Sequence, residues 1–331
     1  VFSFGAACAG KTLKTMQLLR VTLFSDGRPG HEKQSLGILE ALQRYCTVDL
    51  DRLTIAPGSL LNDISDHLGY IFRSGRRPNS EGRKGLLIGT GSRTHLPMLS
   101  SKRISSARAV TCMTPMVLLR KDFDLCFVPM HDKIRDAKNI FRTIGPPNIA
   151  MPSSSSDPSR GLILVGGEDE RSHHWDSKRI VADIAQLMQD TMVVHWTISS
   201  SPRTPEATEE MLKKLAIGQE RVRFFPFSET GPGWVEEQYR SNAQVWITGD
   251  SISMVYEALS AGCRVGILEV SWKRRDNKFS RSLDYLIAEQ RIVTLSQYRE
   301  GSAQWCEHAP LNEADRCARE ILRRWWPKNL P

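Results

Sequence analysis

Short apolar runs alternate with amphipathic segments along most of the chain, and one Pro- and Ser-rich stretch near the middle interrupts them. Val21 to Ser25 runs into Asp-Gly-Arg-Pro-Gly, and the following His31 to Tyr45 carries Leu36, Leu39 and Leu42 at helical spacings, which predicts a strand, a turn and a helix. The pattern repeats. Val48–Leu53, Gly85–Gly89, Ala107–Cys112, Leu125–Val128 and Ile140–Thr143 are predicted strands, with helices over Ser59–Leu68 and His95–Ile104. Pro146 to Arg160 concentrates Pro and Ser without periodicity, as a linker or long surface loop does. Beyond it, strands are predicted at Leu162–Val165, Thr191–Trp196, Val222–Phe225, Val245–Thr248, Val265–Leu268 and Ile292–Thr294, most of them separated by helical segments. Helices between successive strands leave little room for hairpins, so both halves are expected to hold mostly parallel sheets. The expectation is an α/β protein of two Rossmann-like domains facing across a cleft. Residues 1–20 form an extension or first-domain edge, 21–145 the first domain, 146–160 the linker, 161–311 the second domain, and 312–331 a terminal helix and tail.

At 331 residues, size alone excludes a disulfide-stapled mini-domain. No run of eighteen apolar residues could span a bilayer, and the seven cysteines include no CxxC pair. The start, VFSFGAACAGKTL, lacks the architecture of a cleaved signal, so a cytoplasmic location is expected, with peripheral membrane contact as its variant. The formal charge of +8 favours an anionic partner. Basic residues gather at Arg73–Lys84, Lys273–Arg281 and Arg316–Arg324, but no base-reading pattern accompanies them and nucleic acid is not expected. Asn312 to Trp326 is an amphipathic helix with Ala314, Cys317, Ala318, Ile321, Leu322 and Trp325 on its apolar stripe. Packing within the chain is its expected role, and a membrane or protein surface the competing one.

Five turns are candidates for chemistry. Gly5 to Thr12 spells GxxxxGK[ST], but only four residues precede it and no acidic strand end is available to hold magnesium, so it is read as a coincidence. At the first strand end, Gly27 and Gly30 permit close backbone approach, Arg28 could neutralise an anion, and His31 or Asp26 could act as a general base. Gly89–Arg93 offers a second turn toward the same crevice. In the second half, Gly166 and Gly167 close a strand and could admit a phosphate to backbone amides; tight turning alone also explains them. His173, His174 and Asp176 do not form a specific metal motif, and no metal is expected. In Thr248–Gly262 a strand delivers Ser251 and Ser253 to a helix start that can hold a diphosphate, with Glu257 one turn beyond Ser253 for ribose or sugar hydroxyls. Helix capping is the competing account.

The Asp26–Glu32 turn with Gln34, the Gly166-Gly167 turn and the Thr248–Gly262 segment together resemble the mitochondrial fission ELM1-like family, from about Val21 to Trp326. Lys33, where a neutral amide is expected in many relatives, and Pro146-Pro147-Asn148 depart from that pattern. Members of the family resemble GT-B glycosyltransferases. The resemblance implies a nucleotide-diphosphate sugar donor held by the second domain through Ser251, Ser253 and Glu257, with no required cofactor or metal. It implies an acceptor, whether glycan, lipid or protein, on the Gly27–His31 lip, and a last helix returning to the first domain. The alternative is a noncatalytic adapter recruiting a dynamin-like division protein at a membrane, at the outer mitochondrial surface only in a eukaryotic member. Neither an early GxxGxxG nor a YxxxK pair stands in the context a sugar-nucleotide epimerase would require, which argues against that activity.

Overall fold

A computed structural model of the chain describes residues 18–55, 85–153, 156–274, 276–303 and 305–331. The Gly5–Thr12 turn, the Ser59–Leu68 helix and the Arg73–Lys84 basic stretch lie outside them.

The first sheet holds six parallel strands, β1 (Leu18–Ser25), β2 (Thr47–Thr54), β3 (Leu86–Thr90), β4 (Arg108–Cys112), β5 (Leu125–Pro129) and β6 (Ile140–Thr143), in the order β2-β1-β3-β4-β5-β6. Parallel pairing requires crossovers, and α1 (Pro29–Gln43) and α2 (Ser92–Ile104) supply two of them. β3 and β5 are buried from end to end, as strands covered on both faces must be. β2, at the end of the order, is mostly exposed and carries Asp49, Asp51 and Arg52, charges that discourage further strand pairing.

A second six-stranded parallel sheet contains β7 (Asp157–Leu164), β9 (His195–Ser199), β10 (Val222–Phe225), β11 (Asn242–Thr248), β12 (Arg264–Leu268) and β14 (Ile292–Thr294), ordered β10-β9-β7-β11-β12-β14. Strand β7 begins at Asp157, within the Pro- and Ser-rich stretch. Two-residue strands β8 (His173–His174) and β13 (Ser271–Trp272) pair antiparallel beside this sheet. The helices here are α3 (Ser177–Asp190), α4 (Glu206–Ala216), α5 (Trp234–Ser241), α6 (Ile252–Ser260), α7 (Lys278–Ala288) and α8 (Leu295–Arg299). Strand alternation divides the core: Leu162, Leu164, Val245 and Ile247 pack with Val255 of α6, while Ile163, Val165 and Trp246 pack with Ile180 and Ile184 of α3.

The expected two-domain, GT-B-like α/β architecture is the one observed. Its terminal helix, α9 (Glu313–Trp325), returns to the first domain and lies on α1. Cys317, Ile321 and Leu322 are buried in one cluster with Ile38 and Leu42 of α1, and burial of each large aliphatic side chain contributes roughly 1.5–3 kcal/mol. Asp315 accepts from Arg44 at 2.9 Å and from the Tyr45 hydroxyl at 2.7 Å, fixing the register of the two helices. Trp325 and Trp326 pack partly buried against this core, with the Arg108 guanidinium 5.5 Å from the Trp325 ring. The helix stripe is therefore spent on its own chain.

The segment after β6 is wedged between α1 and α6. Asn148 is buried, and its side-chain amide donates to Ser260 Oγ at 3.0 Å. Its carbonyl lies so close to Gly37 of α1 that an added Cβ would stand 2.3 Å from the oxygen.

Candidate functional site

Because every strand in each main sheet is parallel, the turns following them leave from one edge. Ligand crevices form outside the carboxyl ends of such strands, and the candidate residues lie at these ends.

At the end of β1, Gly27 adopts a left-handed backbone (φ 75°) that turns the chain into α1. The Ser25 hydroxyl accepts the Gly27 N–H at 3.1 Å, and Asp26 Oδ1 accepts that of Arg28 at 3.2 Å. Pro29 opens α1, where its missing N–H is harmless. The Arg28 carbonyl accepts the N–H groups of His31 and Glu32, both at 3.0 Å, while its side chain remains exposed. Asp26 is buried and its Oδ2 lies 2.8 Å from His31 Nδ1. An ionised carboxylate can only accept, so this contact puts a proton on Nδ1 and leaves Nε2 as the nitrogen able to take another. The turn after β3 closes over the pair: at Gly91 (φ 98°) an added Cβ would stand 2.4 Å from His31 Nδ1 and 2.7 Å from Asp26 Oδ2. An added Cβ at Gly30 would meet nothing within 4 Å among the described residues.

The second cluster lies at the ends of β7, β9 and β11. Gly166 donates its N–H to Thr248 Oγ1 at 2.7 Å, and Gly167 donates to Asp250 Oδ2 at 3.1 Å. The same carboxylate oxygen receives Arg203 Nη2 at 2.7 Å and the Ser251 hydroxyl at 3.2 Å, whereas Asp250 Oδ1 is buried with no hydrogen-bond partner among the described residues. A side chain at Gly166 would collide with this carboxylate, with Cβ 2.2 Å from Oδ2. Ser251 precedes α6, and its hydroxyl is also 3.5 Å from Arg203 Nη2. Ser253, in the first turn of α6, is exposed and makes no side-chain hydrogen bond among the described residues. The two serines thus occupy different environments.

Glu257 is buried on α6, where Lys33 of α1 meets it across the domains at 3.5 Å and also pairs with Glu236 of α5 at 3.0 Å. Burial pushes the Glu257 carboxyl up, and Lys33 only partly opposes this. Burial alone would lower Lys33, but the two glutamates outweigh it and hold the ammonium above its ordinary range. Among the described residues, no hydrogen bond joins Asp26 or His31 to Gly166, Gly167, Ser251 or Ser253.

Sequence inspection missed Arg203. Its signal was available, since Ser200–Thr204 is a polar segment directly after β9, but only folding shows that its arginine meets Asp250. The role of Gly91 was equally hidden. His173 bonds to the Gly167 carbonyl at 3.0 Å and Asp176 caps α3, so neighbouring structure occupies both. Among the described residues, no group of three or more His, Cys, Asp or Glu side chains is placed to hold a metal ion.

Residues 29–325 match the model of the mitochondrial fission ELM1 family, and the chain belongs to that family. No curated protein matches it. Among solved structures, a UDP-GlcNAc 2-epimerase from Methanocaldococcus jannaschii is 13% identical with a TM-score of 0.53, over 93% of this chain and 100% of that one. A second UDP-N-acetylglucosamine 2-epimerase is 15% identical with a TM-score of 0.50, over 93% of this chain and 97% of that one. At these identities the likeness is one of fold.

Proposed function

We propose that this ELM1-family protein binds a nucleotide-diphosphate sugar at the second domain and transfers the sugar to an acceptor presented at the first. The observation carrying this reading is the cluster of Gly166, Gly167, Asp250, Ser251 and Arg203 at adjoining strand ends: two glycines that tolerate no side chain, a helix start and a cation held by a buried carboxylate. Such a cradle suits a diphosphate, whose charge grows as the sugar–oxygen bond breaks. Ser251, Arg203 and the free amides of α6 would hold the leaving group, with Ser253 as an outer contact and Glu257 accepting from ribose or sugar hydroxyls once Lys33 yields it. On the other lip, His31 Nε2 would take the proton of the acceptor hydroxyl while Asp26 holds the ring and stabilises the imidazolium. The acceptor oxygen gains the bond to the anomeric carbon, and the nucleoside diphosphate departs.

Two observations keep other readings in view. Family membership favours the adapter, in which the cleft is architecture and a division protein is the partner. The likeness in fold to proteins named epimerases means that absent YxxxK and GxxGxxG patterns do not exclude epimerisation, so the assay must follow it too. Calorimetry against UDP, GDP, ADP and CMP, followed by incubation of the matching nucleotide-sugar with lipid, protein and glycan extracts, separates the three. Sugar appearing on an acceptor supports transfer, conversion of the donor sugar supports epimerisation, and no nucleotide binding at millimolar concentration leaves the adapter.

A further inference from the structure

At the edge of the second sheet opposite the glycine turns, Arg264 opens β12 and Arg291 directly precedes β14. The two strands pair from Val265 and Ile292 onward, so the arginines stand side by side, one position before that first pair. Like charges set opposite one another on paired strands destabilise a sheet unless something anionic stands between them. Nothing in the chain does so. Among the described residues, neither guanidinium has a hydrogen-bond acceptor or a carboxylate within ion-pair distance, and Arg291 Nε is buried without a partner. Nor do they cap the helices that end beside them. The Ala258 and Leu259 carbonyls of α6 accept backbone N–H groups from Cys263 and from Gly262 and Leu311, and Leu286 and Ile287 of α7 accept those of Arg291 and Gln290.

Both arginines line an open-mouthed cavity of about 280 Å³, with Trp305, Cys306, Glu307 and His308 on the facing segment. That segment is held in place: His308 Nε2 donates to the Gln290 carbonyl at 3.0 Å, the Cys306 thiol donates to Gln290 Oε1 at 3.2 Å, and Trp305 packs edge-on against Trp246. The neighbouring acids leave the arginines uncompensated. Glu307 and the exposed Glu289 make no ion pair among the described residues, and Glu313, beyond Arg291, is taken by Arg316 Nη1 at 2.6 and 2.7 Å. On its other side Arg264 adjoins the neutral Gln244 of β11. The lining therefore sets two guanidiniums against one carboxylate, and a recess concentrates that field on whatever enters. A monocarboxylate could neutralise one guanidinium. A phosphate monoester, with a charge of about −2 and three acceptor oxygens, answers both. The volume falls just below the roughly 300–1,000 Å³ of pockets that hold drug-sized ligands, which restricts the rest of the molecule to a small organic group against Trp305. We propose that this recess binds a small phosphate monoester whose phosphate bridges Arg264 and Arg291. The cradle around Arg203 lies at the opposite edge of the same sheet, so this inference stands apart from the nucleotide reading.

Cys306, exposed on the cavity wall, is the reporter. Alkylation of the full chain by neutral iodoacetamide, read peptide by peptide in a mass spectrometer, follows this thiol apart from the other cysteines. Glycerol 3-phosphate at millimolar concentration should slow its alkylation several-fold along a single-site curve, inorganic phosphate should compete for the same site, and acetate or chloride at equal ionic strength should do neither. Arg264→Gln/Arg291→Gln should weaken the apparent affinity for glycerol 3-phosphate by at least about tenfold, while Arg203→Gln leaves it unchanged. Thermal midpoints check folding, and Arg264→Gln alone, at an exposed position, supplies the comparison should the double variant melt early. Absence of protection, equal protection by acetate or chloride, protection retained without the two arginines, or protection lost in Arg203→Gln each overturns the proposal. UDP calorimetry on the same samples reports on the cleft separately.

Discussion

Lys33 and Glu257 lie 224 residues apart in sequence and 3.5 Å apart across the domains, with Glu236 sharing the same ammonium at 3.0 Å. One cation therefore serves two carboxylates, one of them buried, and sits where α1 of the first domain meets α5 and α6 of the second.

Lys33→Met should destabilise the protein by about 1–2 kcal/mol at neutral pH, below the figure for a fully buried pair because Lys33 keeps some contact with water. The sign with pH follows from the shifts. Glu257 is raised above its ordinary 4.5, so ionisation works against the fold, and the variant's deficit should shrink as pH falls through the folded value. Lys33 is raised above 10.5, so its contribution in the parent is full below 10.5 and lost as pH climbs through the folded value. Urea melts of both proteins from pH 4 to 11 check this; a pH-independent difference would remove the ion pair from the explanation.

The diphosphate cradle predicts unequal serines. Ser251→Ala breaks bonds already made to Asp250 and Arg203, and Arg203→Gln removes the cation; each should weaken UDP or GDP binding by about 1.5–3 kcal/mol. Ser253→Ala, whose hydroxyl makes no side-chain hydrogen bond among the described residues, should cost roughly 0.5–1.5 kcal/mol. Calorimetry of the three variants tests this ordering, and unchanged affinity in all of them would move the donor elsewhere.

Glu257→Gln should weaken nucleoside diphosphate binding more than pyrophosphate binding, because only the nucleoside presents hydroxyls to a carboxylate. Competition calorimetry with both ligands makes the comparison within one protein sample.

If transfer is detected, His31→Gln should lower kcat by roughly 10²–10⁴-fold while donor affinity stays within about twofold, since the base acts on the acceptor. Gly91→Ala should mimic it in part, as the new methyl falls 2.4 Å from His31 Nδ1 and must displace the ring or the turn. Steady-state kinetics with separate donor calorimetry distinguishes lost catalysis from lost binding.

Gly37→Ala addresses the junction between the domains. Its Cβ would sit 2.3 Å from the Asn148 carbonyl oxygen, a backbone atom that cannot rotate away, so a loss of about 1–3 kcal/mol is expected from the forced shift. A thermal melt with an unchanged midpoint would show that α1 and the connecting segment separate freely.

The local features were readable because their causes are local. Val21–Ser25, the Asp-Gly-Arg-Pro-Gly turn and the 3.6-residue spacing of Leu36, Leu39 and Leu42 specify a strand, a turn and a helix through backbone sterics and alternating burial, and β1 and α1 follow. The stripe of Asn312–Trp326 likewise specified α9, though its partner was left to folding. Boundaries moved where tertiary pairing extends a strand beyond its apolar run, as in β7, which starts at polar Asp157 and pairs it with Asn242 of β11. Residue spacing placed Asp26 and His31 in one turn because five positions at a helix start span a side chain's reach. Spacing has no purchase on Arg203 with Asp250, 47 positions apart, or on Lys33 with Glu257. Those contacts exist because parallel strands gather their following turns at one edge and because the segment through Asn148 locks two domains face to face. The sequence by itself determined the alternating α/β elements and the glycine turns between them, whereas the tertiary structure alone decided which charges meet, since a charge pair depends on distance in space and not on separation along the chain.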